Sequence, residues 1–284
     1  RPDISVVLKV GLAHAGEFGG IEVTQRAKAE IVTELPSDAV AVLNLDDERV
    51  AAMAALTAAR PVWFGLDPRA DVRADDLRAT ASGTSFRLSV GAASRTVRLR
   101  ILGEHHVMNA LAAVAVASEL GVPLDDTVEA LESIRRAERW RMEVLEREDG
   151  IVVVNDAYNA SPDSMAAALK TLAQITGPGQ RSVAVLGEMT ALGPYSDEEH
   201  DRIGRLVVRL NIGRLVVVGH GARHIHNAAG LEGSWDGESV LVETADEAYE
   251  LLEGYLKAGD VVLVKSSKSA ELRFLGDRLG RVTA

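Results

Sequence analysis

The sequence contains no cysteine. That excludes disulfide scaffolds and cysteine-based zinc sites, and it fits a reducing, cytoplasmic setting. There is no apolar run long enough to span a bilayer and no secretory signal pattern, so membrane insertion is not expected. Internal repeats and low-complexity tracts are also missing. Positive charge is scarce: 31 Lys and Arg stand against 42 Asp and Glu, a net charge of -11. Domains that wrap nucleic acid are usually basic, so no nucleic-acid partner is expected. A small anionic ligand is not excluded, because a few cations or a metal make one site locally positive whatever the total.

Two ligand-binding signatures are incomplete or absent. No segment reads Gly-x-x-x-x-Gly-Lys-Ser/Thr, the loop whose amides cradle nucleotide phosphates. Gly219-x-Gly221 follows an apolar strand, but the third glycine of a dinucleotide fingerprint is missing and a tight strand-to-helix turn explains the pair. His220 and His224 have the i,i+4 spacing of a helical metal pair. No carboxylate completes the set nearby, which favours solvated histidines, as for His226.

What is present is an ordinary globular composition, 47% hydrophobic and 26% charged, over 284 residues. That length suits two domains. The first residues run straight into the apolar stretch Ile4–Val10, which reads as a chain cut from a longer protein. Ile4–Val10, Ala39–Leu45 and Pro61–Phe64 are continuous apolar runs, as in strands covered on both faces. Residues 84–101 alternate apolar and polar around Gly91, the pattern of an antiparallel hairpin. An Ala-rich helix is predicted over Val107–Leu120, ended by Gly121, and another over Asp126–Ile134, with Asp126 and Glu129 at capping-box spacing. The charged stretch Arg135–Arg141 reads as a hinge.

Beyond it the chain alternates strand and helix. Strands are predicted at Ile151–Val154, Ser182–Leu186, Arg214–Val218, Val240–Val242 and Asp260–Val264. Ser161-Pro162-Asp163, Ser196 with Glu199, and Thr244 with Glu247 are helix-start signals. The expected class is α/β, with a parallel, doubly wound second half. The expected domains are residues 1–137 and 138–284.

Several polar segments sit where strands deliver side chains. Ligands of open α/β sheets bind beyond the C-terminal strand ends. The Gly11–Glu17 loop after the first strand carries His14, and Lys28 follows in the next helix. Either one alone reads as an ordinary surface residue. Asn109 is a polar residue on a small, apolar helix surface, suited to helix packing or to a base edge. Asn155-Asp156-Ala157-Tyr158-Asn159-Ala160-Ser161-Pro162 is a dense polar cluster after four apolar residues. An acid there suits ribose hydroxyls and an aromatic suits stacking.

In this order the segments resemble the Mur ligase family, in its MurF branch. The His14 loop with Glu17-Phe18-Gly19 resembles the family's metal-binding histidine segment. Lys28 falls where the family carries a lysine that is carbamylated to ligate metal. Asn44–Asp47 resembles the segment after the next strand, and His106–Leu111 the adenine-contacting segment. Arg139–Glu143 resembles the interdomain segment whose arginine reaches the nucleotide; Trp140 stands where a glycine is usual. Asp156–Met165 is similar to the MurF form of the following motif. Leu186–Met189 with Leu192, Gly193 and His200, and then Lys265–Lys268, resemble the C-terminal-domain motifs, with Ser266 in a usual glycine position.

The resemblance covers essentially the whole chain. It implies an N-terminally truncated central ATPase domain, its phosphate loop lying ahead of residue 1, followed by a Rossmann-like C-terminal domain. The implied reaction is ATP-dependent, ADP-forming amide ligation through an acyl phosphate. It would add D-Ala-D-Ala to a UDP-MurNAc-peptide in cytoplasmic peptidoglycan synthesis, with ATP and Mg²⁺ as cofactors and the protein a monomer. Implied roles are metal for His14 and carbamylated Lys28, which would also be catalytic, and nucleotide for Asn109, Arg141, Asp156 and Tyr158. Asn159, Lys265 and Ser267 would take the dipeptide. Contacts from both domains imply that closure assembles the site, and the chain by itself is expected to be inactive. Folylpolyglutamate synthase shares the fold and chemistry and is the rival enzyme. A non-catalytic binding module of the same fold is the rival from another class.

Overall fold

The computed structural model describes residues 1–11, 19–80, 82–134, 138–233 and 235–282. They form two compact units, residues 1–134 and 138–282, each built on its own sheet.

The first unit runs β1 (Ile4–Val7), α1 (Ile21–Thr33), β2 (Val40–Asn44), α2 (Glu48–Ala51), a 3₁₀ turn (Ala52–Leu56), β3 (Arg60–Gly65), β4 (Val72–Thr80), β5 (Gly83–Val90), β6 (Ala93–Leu99), α3 (Glu104–Glu119) and α4 (Leu124–Ser133). The strands lie in chain order, β1 to β4 parallel and β4-β5-β6 antiparallel. Alternate residues of β2 divide between two cores. Val40 and Val42 pack with Val107, Leu111 and Val114 of α3, while Ala41 and Leu43 pack with Val32 of α1 and Val50 of α2. Double coverage explains why this strand reads as an unbroken apolar run.

This unit departs from its sequence pattern at one strand and two helix starts. β4 was not foreseen, because Arg73, Asp75, Asp76 and Arg78 break its apolar pattern and the register shifts between Asp75 and Arg78. The Ala-rich helix starts at Glu104 rather than Val107, behind Gly103 with φ 108°. The following helix starts at Leu124 with Pro123 at its cap, so Asp126 and Glu129 lie inside it and form no capping box. Gly121 does end α3: at φ 75°, its N–H donates to Ser118 O and that of Val122 to Ala117 O.

The second unit runs β7 (Glu143–Glu146), β8 (Val152–Asn155), α5 (Pro162–Ile175), β9 (Ser182–Leu186), α6 (Ser196–Arg209), β10 (Arg214–Val218), α7 (Arg223–Leu231), β11 (Glu238–Val242), α8 (Ala245–Tyr255), β12 (Val261–Lys265) and α9 (Leu272–Leu279). The sheet order is β11-β10-β9-β12-β8-β7. The alternating strands pair in parallel as expected, but β7, just past the charged hinge and with Glu at both ends, adds an antiparallel edge. β12 enters between β8 and β9, so the strand order reverses there. Ser161 caps α5 in a reciprocal box with Ser164, and Thr244 caps α8 through Glu247 N–H. Ser196 forms no such box. It is the first residue of α6, and Glu199 pairs with Arg202 instead.

Candidate functional site

The reversal of strand order gathers three chain segments at the C-terminal ends of β8, β9 and β12. Asp156 follows β8, Gly187 and Glu188 follow β9, and Lys265 ends β12. Lys265 is 2% exposed, and its Nζ donates to Asp156 Oδ2 at 2.6 Å, Asn159 O at 2.9 Å and Asp156 O at 3.3 Å. Three donors meet three oxygens, so the ammonium is fully committed. A buried charge needs such partners. Here they pin the Asp156–Ala160 turn onto the end of β12.

Ser267 ties the remaining segment down. Its N–H donates to Glu188 O, while its hydroxyl accepts from Thr190 N–H at 2.9 Å and donates to Ala160 O at 3.4 Å. The other side of that loop rests on His200, which is fully buried. Its Nε2 accepts Met189 N–H at 2.9 Å and its Nδ1 donates to Ser196 O at 2.7 Å, which sets a neutral ring with the proton on Nδ1. Burial pushes its pKa below the ordinary value, against the smaller opposing pull of Ser196 O, Glu188 and Asp197. Gly187 packs on Ser266, where a Cβ would come within 2.8 Å of the serine Cβ. Gly221, after β10, leaves room for the Glu188 carboxylate, which a Cβ would meet at 2.5 Å.

Asp156 also reaches the segment that enters this unit. Its Oδ1 accepts Met142 N–H at 2.9 Å, and Tyr158 N–H donates to Trp140 O at 3.0 Å. The Arg141 guanidinium lies over the Tyr158 ring, 4.2 Å from the centroid, and pairs with Glu138 at 3.2 Å. Arg141, Asp156, Tyr158, Asn159, Lys265 and Ser267, all singled out from sequence, therefore meet in one place. Asn159 is exposed; Lys265 and Ser267 are buried. His200, Glu188, Asn155 and Asp277 were not picked out as site residues. Glu188 and His200 enter the sequence reading only within the C-terminal-domain motifs and Asn155 only within the polar cluster, while Asp277, 122 residues from its partner Asn155, has no local pattern to mark it.

In the first unit, His14 lies outside the described residues. Lys28 is exposed on α1 and donates from Nζ to Lys9 O at 2.6 Å. Two other side chains hold the same exit of β1. Asn44 Nδ2 donates to Leu8 O at 2.8 Å, and Asp47 Oδ2 accepts Val10 N–H at 2.9 Å. Asp47 also caps α2 through Arg49 and Val50 N–H, while Asp46 accepts from Leu66 and Asp67 N–H. The Asn44–Asp47 segment thus holds the exit of β1 at Leu8 and Val10. Asn109 is exposed and helps line an open apolar hollow of about 570 Å³ together with Val6, Leu8, Ala112, Val116 and Leu120. An open apolar surface with one amide among its lining residues can take the face of a flat heteroaromatic ring. Among the described residues no three His, Asp or Glu side chains converge as a metal site.

The family model for the Mur ligase middle domain matches residues 1–117, and that for the Mur ligase glutamate ligase domain matches residues 140–268. The chain belongs to the Mur ligase family. Within that family it is 46% identical, over 98% of its length, to the UDP-N-acetylmuramoyl-tripeptide–D-alanyl-D-alanine ligase of Mycobacterium tuberculosis, of which it spans 58%. The structure matches MurF from Acinetobacter baumannii with a TM-score of 0.87 at 31% identity, covering 99% of this chain and 60% of that one. MurF from Thermotoga maritima in complex with ADP matches with a TM-score of 0.85 at 25% identity, covering 99% and 62%. The chain therefore spans about three-fifths of the relatives it matches.

Proposed function

We propose that the protein carrying this chain is a MurF-type ligase, joining D-alanyl-D-alanine to a UDP-N-acetylmuramoyl-tripeptide at the expense of ATP. The observation that carries this reading is the 46% identity to a UDP-N-acetylmuramoyl-tripeptide–D-alanyl-D-alanine ligase, which covers 98% of the chain and so both units. In the proposed reaction the tripeptide carboxylate attacks the γ-phosphorus of ATP, forming an acyl phosphate and ADP. The dipeptide amine then attacks the acyl carbon, loses a proton, and displaces inorganic phosphate. Negative charge gathers on phosphoryl oxygens in both steps, so cations supply much of the stabilisation.

The residues present fit such ligands in part. Asn109 and the open apolar hollow it helps line suit an adenine ring. Arg141, stacked on Tyr158, offers a cation to phosphate. Tyr158, the ring beneath that cation, suits the ribose, whereas Asp156, buried with both oxygens engaged by Lys265 and Met142, acts by holding the turn. Mg²⁺ would be held by His14 with carbamylated Lys28: carbamylation turns the ammonium, unable to ligate, into a carboxylate-like oxygen donor. For the dipeptide, Asn159 offers an exposed amide. Lys265 and Ser267 act through the shape of the turn they hold, because their own donors are already used. The protein is proposed to act as a cytoplasmic monomer.

The test is a reconstituted assay of the full-length protein. It is expected to convert UDP-N-acetylmuramoyl-tripeptide, D-alanyl-D-alanine and ATP into pentapeptide, ADP and phosphate. Addition of glutamate to a folate, with no transfer of the dipeptide, would overturn the reading. The 284 residues alone have no phosphate-cradling loop, so by themselves they are expected to bind ATP weakly and to show no turnover.

A further inference from the structure

The segment that carries Arg141 is bent in a way its own residues disfavour. Trp140 and Met142 both have positive φ, 62° and 52°, which side chains of this size avoid. Such backbone persists where the surroundings over-determine it. Local restraints come from Asp156 on Met142 N–H, from Tyr158 N–H on Trp140 O, and from Glu143 Oε2, which accepts Trp140 N–H at 3.0 Å.

The other restraints converge on one carboxylate near the end of the chain. Asp277, on α9, accepts the Trp140 indole N–H at 3.1 Å (Oδ2) and 3.2 Å (Oδ1). It also accepts from Arg139 Nη2 at 2.8 Å and from Asn155 Nδ2 at 3.0 Å. Asn155 is fully buried at the end of β8, and its amide also donates to Arg273 O at 2.8 Å. Gly276 lies against it where a side chain would collide. These contacts hold α9 on the strand that leads into the site. The indole itself packs edge-on against Phe274 at 6.1 Å, with the Arg139 and Arg273 guanidiniums 5.0 and 5.6 Å from its centroid.

The geometry points to Asp277 as a positioning residue for Arg141. By anchoring the indole it fixes the backbone of Trp140, and the direction in which the next residue leaves follows from that backbone. Arg141, its side chain half exposed, is thereby laid over the Tyr158 ring. Asp277 touches no ligand itself and acts through Trp140 and Arg139. The nucleotide as the thing Arg141 meets rests on the ligase reading above; the anchor itself does not.

The experiment is a double-mutant cycle on ADP affinity, measured by calorimetry on the full-length protein with Asp277→Asn, Arg141→Ala and the pair. Asparagine keeps one acceptor oxygen but loses the charge opposite Arg139. Each single variant is expected to weaken ADP by on the order of tenfold, and the pair no more than Arg141→Ala alone. A purely structural role would make the two losses multiply, and that outcome overturns the proposal. So does an Asp277→Asn protein that binds ADP as tightly as wild type. A wild-type protein that binds ADP yet ligates nothing would sink the ligase reading and leave this cycle to decide the anchor.

Discussion

Lys265 and Asp156 form a buried ion pair, Nζ to Oδ2 at 2.6 Å, with side chains 3% and 12% exposed and 109 residues apart in sequence. The pair joins the ends of β8 and β12, and through Asp156 Oδ1 it reaches Met142. Replacing Lys265 with Met leaves a carboxylate buried without its cation. That is expected to lower stability by roughly 3–5 kcal/mol, read as a shift in the urea midpoint. Adding Asp156→Asn should return part of the loss, since the two sites are coupled. An unchanged midpoint for Lys265→Met would show that the pair does not hold the turn.

Trp140 permits a separation of strain from contact. Trp140→Ala removes the indole and keeps the positive φ, whereas Trp140→Gly removes both the contacts and the strain. Glycine is therefore expected to be more stable than alanine at this position by about 1 kcal/mol, although both fall below wild type. Equal stabilities for the two variants would count against a strained backbone.

His200 predicts a pH dependence of definite sign. Burial keeps its folded-state pKa below the ordinary 6.5. As pH falls below 6.5 the unfolded chain takes up a proton that the folded chain refuses, so stability falls with pH in that range and is unaffected above it. Urea midpoints at pH 7.5 and 5.5 should differ more for wild type than for His200→Gln. Parallel losses in the two proteins would show that other groups set the slope.

Two glycines of adjacent helices should respond in opposite directions. Gly204 of α6 faces the Ile225 carbonyl and the Ala228 methyl of α7, with no space for a Cβ, while Gly230 of α7 has nothing within 4 Å. Gly204→Ala is expected to cost about 1–3 kcal/mol through overpacking. Gly230→Ala should gain up to about 1 kcal/mol, because alanine loses less backbone freedom on folding. Thermal unfolding of the two variants checks both signs.

Lys28 separates function from stability. Its side chain is exposed and makes one hydrogen bond to a main-chain oxygen. Lys28→Ala should therefore change stability by less than about 0.5 kcal/mol. In the full-length protein it is expected to lower kcat by on the order of a hundredfold, as for other lost charge-stabilising groups. Wild-type kcat in that variant would remove Lys28 from the proposed chemistry.

The elements read most clearly from sequence are those whose signal is local. Unbroken apolar runs marked β2, β9, β10 and β12, because strands buried on both faces have no polar residue to spare. Ser161-Pro162 marked the start of α5 because the cap, the proline and the acid act within one turn. β4 and β7 escaped notice because half-buried edge and hairpin strands tolerate charge, so Arg73, Asp75 and Glu143 hide the alternation. Ser196 and Glu199 have the letters of a capping box, yet Glu199 found Arg202 and the helix began one residue early.

By itself the sequence singled out candidates: Asp156, Tyr158 and Asn159 by the polar cluster after a strand, and Arg141, Lys265 and Ser267 by resemblance to the family's motifs. Their use was decided only by the tertiary structure. The insertion of β12 between β8 and β9 brings Lys265 onto Asp156 and commits all its donors, so a residue expected to grip a ligand instead shapes the turn beside it. The same packing of α9 on β8 sets Asp277 against Trp140. Contacts across more than a hundred residues leave no local trace in sequence, because each partner obeys its own helix or strand and only the fold brings the two together.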